Sequence, residues 1–144
     1  MRRLQLALLR FVRRRVGAAR RERLERALAR PLSRRVVLGT IFWGMPRAVT
    51  RKALAKESVV VGWRITGRRD GRHDMRQLVI ENGTARVLTG EPREEELRIT
   101  MDGVAFLLLA TGNGSPQAMY VRQEIEIRGD PWLALRVGRF FGRR

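Results

Sequence analysis

Cysteine is absent from this sequence of 144 residues, and its absence excludes several classes of protein. The chain cannot be a disulfide-stapled domain, and it cannot use a thiol as a catalytic nucleophile. A zinc site would lack its softest ligand. The absence permits a cytoplasmic location, which is the location we predict, with a peripheral position on the inner face of the membrane.

Side chains that carry catalysis are also scarce. His73 is the only histidine, and it stands near Asp70 and Asp74 in a predicted loop. A general base or a metal ligand is conceivable there, but an exposed loop histidine is the simpler interpretation. The run Glu94–Glu96 cannot place three carboxylates on one helix face, so we interpret it as a solvated loop before a strand. We predict no catalytic residue, no metal site and no cofactor.

No apolar run in the chain is long enough to span a membrane. The segment Val36–Met45 holds ten residues, whereas a membrane-spanning helix needs about 20. The run Leu4–Leu9 follows two arginines as in a signal peptide, but Arg10 and Arg13–Arg15 interrupt it. Ser33–Arg35 weakly resembles a twin-arginine export signal, an interpretation that the basic residues beyond the apolar segment oppose. We predict no transmembrane segment.

What the sequence has in excess is arginine, and most of the excess lies in its first part. The formal net charge is +17. Residues 1–56 hold 17 basic and two acidic residues, a net charge of +15, whereas residues 57–144 hold 14 basic and 12 acidic residues, a net charge of +2. We therefore predict a basic extension at residues 1–35 and a nearly neutral domain at residues 36–144. Such extensions bind anionic membranes or nucleic acids.

The extension has the pattern of a basic amphipathic helix. Residues 2–30 contain no proline, and their apolar side chains recur at helical spacing until Pro31. We predict that the helix docks on an anionic membrane through Arg10, Phe11, Arg13 and Arg14. Nucleic-acid binding is the alternative, although Phe11 is the only aromatic residue of the extension on which a base could stack.

From Ser58 onward the hydrophobic period changes from helical to alternating, which is typical of strands. The clearest signal is Asn82-Gly83 between the predicted strands Gln77–Glu81 and Thr84–Thr89, because this pair tolerates the positive φ angles of a type I′ hairpin. Further strands are predicted at Val59–Thr66, Leu97–Met101 and 122–128. The pattern predicts an α/β (α+β) fold with a largely antiparallel five-stranded sheet, covered on one face by helices.

Two predicted helices carry more apolar surface than one sheet face can cover. The helix from Gly103 to Thr111, capped by Asp102, is apolar all round. The last helix, Trp132–Phe141, follows the cap Asp130 and shows a similar excess. A helix of this kind must be buried on two sides. Either it lies in a tightly packed core, or one of its sides borders an apolar ligand tunnel, and the sequence alone leaves both interpretations open.

A series of motifs extends over most of the chain. Ile99–Asn113 reads as a strand and an apolar helix ending in Thr-Gly, and Gln123–Arg136 reads as a strand ending in Gly-Asp and then the terminal helix. This order resembles the second half of a sterol carrier protein type 2 domain, and Ile41–Arg47 and Val61–Gly67 are similar to bacterial members. The resemblance covers residues 37–144. It implies binding of fatty acids, acyl-CoA, sterols or phospholipids in an apolar tunnel between sheet and helices, without catalytic residues.

We therefore predict a non-enzymatic protein that binds or transfers a hydrophobic ligand, with the basic extension docked on anionic membrane. The residues that line the tunnel are predicted on the two apolar helices: Val104, Leu107, Leu108, Leu133, Val137 and Phe141. Two alternatives remain open. One is an accessory protein that presents an isoprenoid-quinone-type intermediate to membrane enzymes, and the other is nucleic-acid binding through the extension.

Overall fold

The computed structural model describes residues 21–90 and 92–141. The predictions for Arg10, Phe11, Arg13 and Arg14 lie outside these described residues. Within the described ranges the chain forms six helices, which are α1 (Arg21–Ala29), α2 (Pro31–Ala48), α3 (Arg51–Lys56), α4 (Gly103–Ala110), α5 (Pro116–Val121) and α6 (Pro131–Phe140). It also forms five strands, which are β1 (Val59–Thr66), β2 (Asp74–Glu81), β3 (Thr84–Leu88), β4 (Leu97–Asp102) and β5 (Ile125–Gly129).

The strands form one mixed sheet in the order β3-β2-β1-β4-β5. The central strands β1 and β4 are parallel, and the other three neighbouring pairs are antiparallel. The prediction of a largely antiparallel five-stranded sheet is therefore confirmed. The strand β4 is parallel to β1 because the connection from β3 returns to the end of the sheet at which β1 begins before β4 starts.

The hairpin between β2 and β3 turns at the predicted dipeptide. Asn82 (φ 52°) and Gly83 (φ 75°) both adopt the left-handed conformation that a type I′ turn requires. Glu81 pairs with Thr84 across the turn, so the prediction is confirmed. The strand β2 begins at Asp74, three residues before the predicted start at residue 77, because these residues extend the pairing with β1.

Side-chain caps start the three helices of the second half. Asp102, Ser115 and Asp130 accept hydrogen bonds from backbone N–H groups of the first turn at 2.8, 3.3 and 2.9 Å. A cap of this type satisfies a donor that has no partner within the helix. As predicted, α4 and α6 begin directly after Asp102 and Asp130, and α5 begins directly after Ser115.

The helix α2 extends beyond both ends of the apolar segment Val36–Met45. It begins at Pro31, in the first helical position that proline favours, and continues to Ala48. Pro46, which follows the apolar segment, lies in the last turn, where Arg47 supports the helix by donating to the Trp43 carbonyl at 2.5 Å. The predicted boundary between residues 35 and 36 falls inside α2, so the division into extension and domain stays a prediction.

Arg34 connects α2 to one end of the sheet through an ion pair and hydrogen bonds. Its side chain is only 7% exposed and forms an ion pair with Asp74 at 2.9 Å. It also donates to the backbone carbonyl oxygens of Ile65 and Thr66 at 3.1 and 2.9 Å. A buried guanidinium needs such partners, because burial removes its hydration. The arginine that contributes to the weak export-signal resemblance is thus a structural residue of the fold.

The helices cover one face of the sheet, and the main core lies between them. Alternate residues of β1 from Val59 to Ile65 point into this core, together with residues of β2, β4 and β5. The helix side is contributed by α2, α3, α4, α5 and α6, whose buried core residues are Leu38, Phe42, Met45, Ala53, Ala105, Phe106, Met119, Leu133, Val137 and Phe140.

The opposite face of the sheet is crossed by the chain that connects β3 to β4. The backbone N–H of Arg93 donates to the Gln77 side-chain oxygen, and the Gln77 amide nitrogen donates to the Arg93 carbonyl, both at 2.8 Å. The Glu95 carboxylate lies against Gly62, where a Cβ would overlap it, and pairs with Arg98. Glu95 has a side chain only 12% exposed, so the expectation of a fully solvated Glu94–Glu96 loop is wrong at this residue.

Candidate ligand site

The apolar helix α4 is buried from two directions. Ala105 and Phe106 face the sheet and belong to the main core. Val104 and Leu107 face away from the sheet and meet Leu24 and Leu28 of α1, with which they form a separate cluster of buried side chains. We call this group the α1–α4 cluster. The helix α1, which the sequence presents as part of a basic extension, therefore covers the outer side of α4.

The six residues predicted to line a tunnel are distributed over two groups. Val104 and Leu107 lie in the α1–α4 cluster, and Leu133 and Val137 lie in the main core. Phe141 is half-buried and packs against the main core. The half-buried Leu108 packs against both groups, as does Ile41 of α2. The fold therefore brings the six residues into two adjoining apolar layers that meet at Leu108, and their role as tunnel lining stays a prediction.

A group of aromatic side chains lies in the main core beside α4. None of these side chains is among the site residues predicted from the sequence. The rings of Phe42 and Phe106 lie 5.1 Å apart between centroids, and those of Trp63 and Phe106 lie 5.7 Å apart. Arg76 reaches this group from the sheet, with its guanidinium carbon 5.9 Å from the centre of the Phe42 ring. The sequence feature that could have indicated this group is Trp63, because it places a side chain with a polar atom at an inward position of a buried strand.

Ionisable groups with shifted pKa values lie at the surface loops and the hairpin. The Arg93 guanidinium donates to Glu81 and lowers the pKa of that carboxyl. At the turn before β2, the backbone N–H of Arg72 and then the Arg68 side chain lower the pKa of Asp70. These are ordinary surface ion pairs, and neither carboxyl lies on α4 or α6.

Histidine and acidic residues form no metal-binding group in the described part of the chain. His73 is exposed, as predicted. None of the described helices combines the length and the apolar character that crossing a bilayer requires.

Comparison with protein families gives a match over the part of the chain that contains the sheet and the apolar helices. The model of the SCP-2 sterol transfer family matches residues 46–142. The chain belongs to this family. The SCP-2 resemblance that the motifs indicated is thereby confirmed, and with it a hydrophobic lipid as the class of ligand. SCP-2 domains are in general non-catalytic carriers of such ligands. The helix α1 and most of α2 precede the matched residues.

Solved SCP-2 structures share the fold at low sequence identity. The crystal structure of sterol carrier protein 2 like 2 from Aedes aegypti is 18% identical, with a TM-score of 0.60 over 73% of this chain and 96% of that one. The solution structure of the palmitated form from the same organism is 17% identical, with a TM-score of 0.55 over 73% and 90%. The UbiJ-SCP2 ubiquinone synthesis protein is 14% identical, with a TM-score of 0.55 over 76% and 96%. No protein among the curated sequences matches the chain.

Proposed function

We propose that this SCP-2 protein binds a long-chain acyl or sterol-like lipid without catalysis and carries it to or from an anionic membrane. The observation that carries the proposal is the family match over residues 46–142. The apolar character of α4 on both of its sides supports it, because a carrier must surround its ligand with apolar side chains.

The proposed ligand site lies along α4 and α6, with Leu108 at its centre. This residue packs against both apolar layers, so a ligand chain beside it would contact the main core on one side and the α1–α4 cluster on the other. Each methylene that leaves water contributes about 0.8 kcal/mol before the cost of association. A chain of some 16 carbons therefore has enough apolar surface for micromolar binding.

The helix α1, which covers this site, makes few buried contacts with it. The helix α1 contributes two buried residues, Leu24 and Leu28, and its other side chains are mostly exposed. An ion pair between Arg21 and Asp102, 3.7 Å long and partly exposed at both ends, adds little to the contact. We propose that α1 moves aside when the lipid enters, since Leu24 and Leu28 are the only residues that it buries.

The proposed membrane contact combines the basic extension with the corner between α1 and α2. Arg10, Phe11, Arg13 and Arg14 are the proposed docking residues of the extension. At the corner, Leu32 and Val36 are 74% and 56% exposed one helical turn apart. Exposed Arg30 and Arg35 stand beside them. Apolar side chains flanked by arginines suit the headgroup layer of an anionic membrane, where each basic residue contributes about 1 kcal/mol.

An isoprenoid-quinone-type intermediate is the second candidate ligand. The structural neighbour named as a ubiquinone synthesis protein favours it, although the likeness at 14% identity extends to the fold alone. Such a ligand would occupy the same apolar layers, so the two candidates differ in the bound molecule and not in the site.

Native mass spectrometry of freshly purified protein, followed by solvent extraction, tests the function directly. We expect a co-purified lipid that is lost on denaturation, together with uptake of a fluorescent long-chain fatty acid by the emptied protein. An extracted polyprenylated ring would select the second candidate. Protein that neither carries a lipid nor takes up an acyl or prenyl probe would contradict the proposal.

A further inference from the structure

A buried hydrogen-bond donor lies in the aromatic group of the main core. Trp63 is 7% exposed, and its ring packs against Phe106. Its indole Nε1–H is shielded from solvent and has no acceptor among residues 21–90 and 92–141. A buried indole N–H normally has a partner, because leaving the donor unpaired costs the free energy of its lost hydration. This donor is therefore suited to an acceptor that the protein chain does not provide.

A cationic side chain stands directly opposite this donor. Arg76 of β2 pairs with Trp63 of β1, and residues opposite each other on antiparallel strands have neighbouring side chains on one face of the sheet. Two residues further along β2, Leu78 points into the main core, so Arg76 lies on the same core side. Its guanidinium carbon is 5.9 Å from the ring centre of Phe42.

The guanidinium of Arg76 differs in its partners from the other arginine of this region. Arg34 is held by a carboxylate and two carbonyl groups. Arg76 donates one N–H to the neighbouring Met75 carbonyl at 2.7 Å, and no carboxylate of the described residues pairs with it. It is half-buried at the margin of the core. Arg76 and Trp63 thus offer a positive charge and a buried N–H side by side at the end of an apolar layer.

We propose that Trp63 and Arg76 bind the polar end of the lipid, and that this end is a carboxylate. One carboxylate oxygen would accept from Trp63 Nε1–H, the other would face the Arg76 guanidinium, and the apolar chain would follow Phe42 and Phe106. The inference rests on the proposed lipid-binding function and narrows it to acidic lipids. A neutral ester, alcohol or sterol would satisfy the indole N–H and leave the guanidinium without a counter-charge.

Indole N–H signals in two-dimensional NMR test the proposal without a structural perturbation. The protein has three tryptophans, and the Trp63 signal is identified by its loss in Trp63→Phe. We expect palmitate to move the Trp63 signal downfield, as a charge-assisted hydrogen bond does, and methyl palmitate to move it much less. The Trp43 and Trp132 signals serve as internal controls.

Affinities for the same two probes test the specificity. Wild-type protein should bind palmitate at least about 10-fold more tightly than methyl palmitate. The reason is that a hydrogen bond to a charged group contributes enough free energy to change a dissociation constant by that ratio. Arg76→Gln should abolish that preference. Arg69→Gln removes the same charge from an exposed loop residue and should retain it. Trp63→Phe should weaken palmitate binding about 10-fold.

The outcomes separate this inference from the proposed function. If wild-type protein binds both probes equally and the Trp63 signal stays in place, the carboxylate site is wrong while lipid binding stands. If wild-type protein binds neither probe, both proposals fail. If Arg76→Gln does not fold, the NMR titration of the wild-type protein still decides.

Discussion

Among the described residues, Arg34 is the charged residue that the fold buries. Its guanidinium holds together the first turn of α2, the end of β1 and the start of β2 through three hydrogen bonds. Its partner Asp74 also accepts from Arg68 at 3.2 Å, so the carboxylate keeps one cation if Arg34 is removed.

We expect Arg34→Met to lower the free energy of unfolding by about 3 kcal/mol, the lower end of the range for breaking a buried ion pair, because Arg68 still neutralises Asp74. Urea denaturation followed by circular dichroism measures the change. Arg35→Met, an exposed neighbour on the same helix, is the matched control and should change stability by no more than about 0.5 kcal/mol. Equal effects of the two substitutions would contradict the anchoring role of Arg34.

Leu108 is the residue at which the proposed lipid site can be tested most directly. A Leu108→Arg substitution would place a charge beside the bound chain, and an unpaired charge in an apolar site is costly. Since Leu108 is only half-buried, we expect the arginine to reach solvent and the fold to survive, with at least about 10-fold weaker uptake of a fluorescent fatty acid. Leu135→Arg, at an exposed position of α6, should leave uptake unchanged.

An unfolded Leu108→Arg protein would identify the residue as ordinary core. A folded variant with wild-type affinity would remove Leu108 from the lipid site.

At the scale of elements, α1 is the helix that the sequence pattern describes least well. Its arginines suggest a free basic helix, yet Leu24 and Leu28 attach it to α4. Full burial of a leucine contributes about 1.5–3 kcal/mol, so two of them hold a nine-residue helix only moderately. A helix that is held this weakly can move aside, as the proposed entry of the lipid requires.

Replacing Leu24 and Leu28 together by alanine should release α1 while the sheet stays folded. We expect faster hydrogen exchange in α1 and increased binding of a hydrophobic dye to the outer side of α4, with little change in the exchange of β1. Arg23→Ala, an exposed position of the same helix, should alter neither measurement. Loss of protection throughout the sheet would show instead that α1 is an integral part of the domain.

The elements that the sequence predicts well are those that local chemistry determines. Asn82-Gly83 fixes its hairpin because both residues accept positive φ, and Asp102 and Asp130 start helices because their carboxylates bind nearby N–H groups. The packing of α1 on α4 and the pairing of Trp63 with Arg76 join residues far apart in sequence, and no local pattern encodes them. The apolar residues of α4 could be recognised from the local sequence. Their division between two layers could not, because it depends on contacts with residues far away in the sequence.

At the scale of the whole molecule, the positive charge is concentrated at one end of the chain. Residues 1–20 alone contain seven arginines and no acidic residue. A truncation that tests the charge of the extension should remove residues 1–20 alone, because removal of residues up to 30 would also remove the cover of α4.

Deleting residues 1–20 should weaken sedimentation with vesicles of anionic lipid at least about 10-fold while leaving the thermal transition unchanged. The reason is that each arginine near an anionic surface contributes about 1 kcal/mol, an attraction that salt screens. Vesicles of neutral phosphatidylcholine are the control, and the full-length protein should bind them weakly. If the truncated protein binds anionic vesicles as well as the full chain does, the extension has another partner, of which nucleic acid is the first to test.

The strand order leaves β3 and β5 as the two edges of the sheet, each only five residues long. Exposed sheet edges invite pairing between copies of a chain, and short charged edges oppose it. Arg86 lies on one edge and Arg128 on the other, so like charges approach whenever two copies meet edge to edge at the same strand. We expect replacement of both by valine to increase light scattering on heating, whereas valine at the loop positions Arg69 and Arg72 should not. The arginine enrichment that we propose for contact with anionic membrane would then also protect the sheet from aggregation.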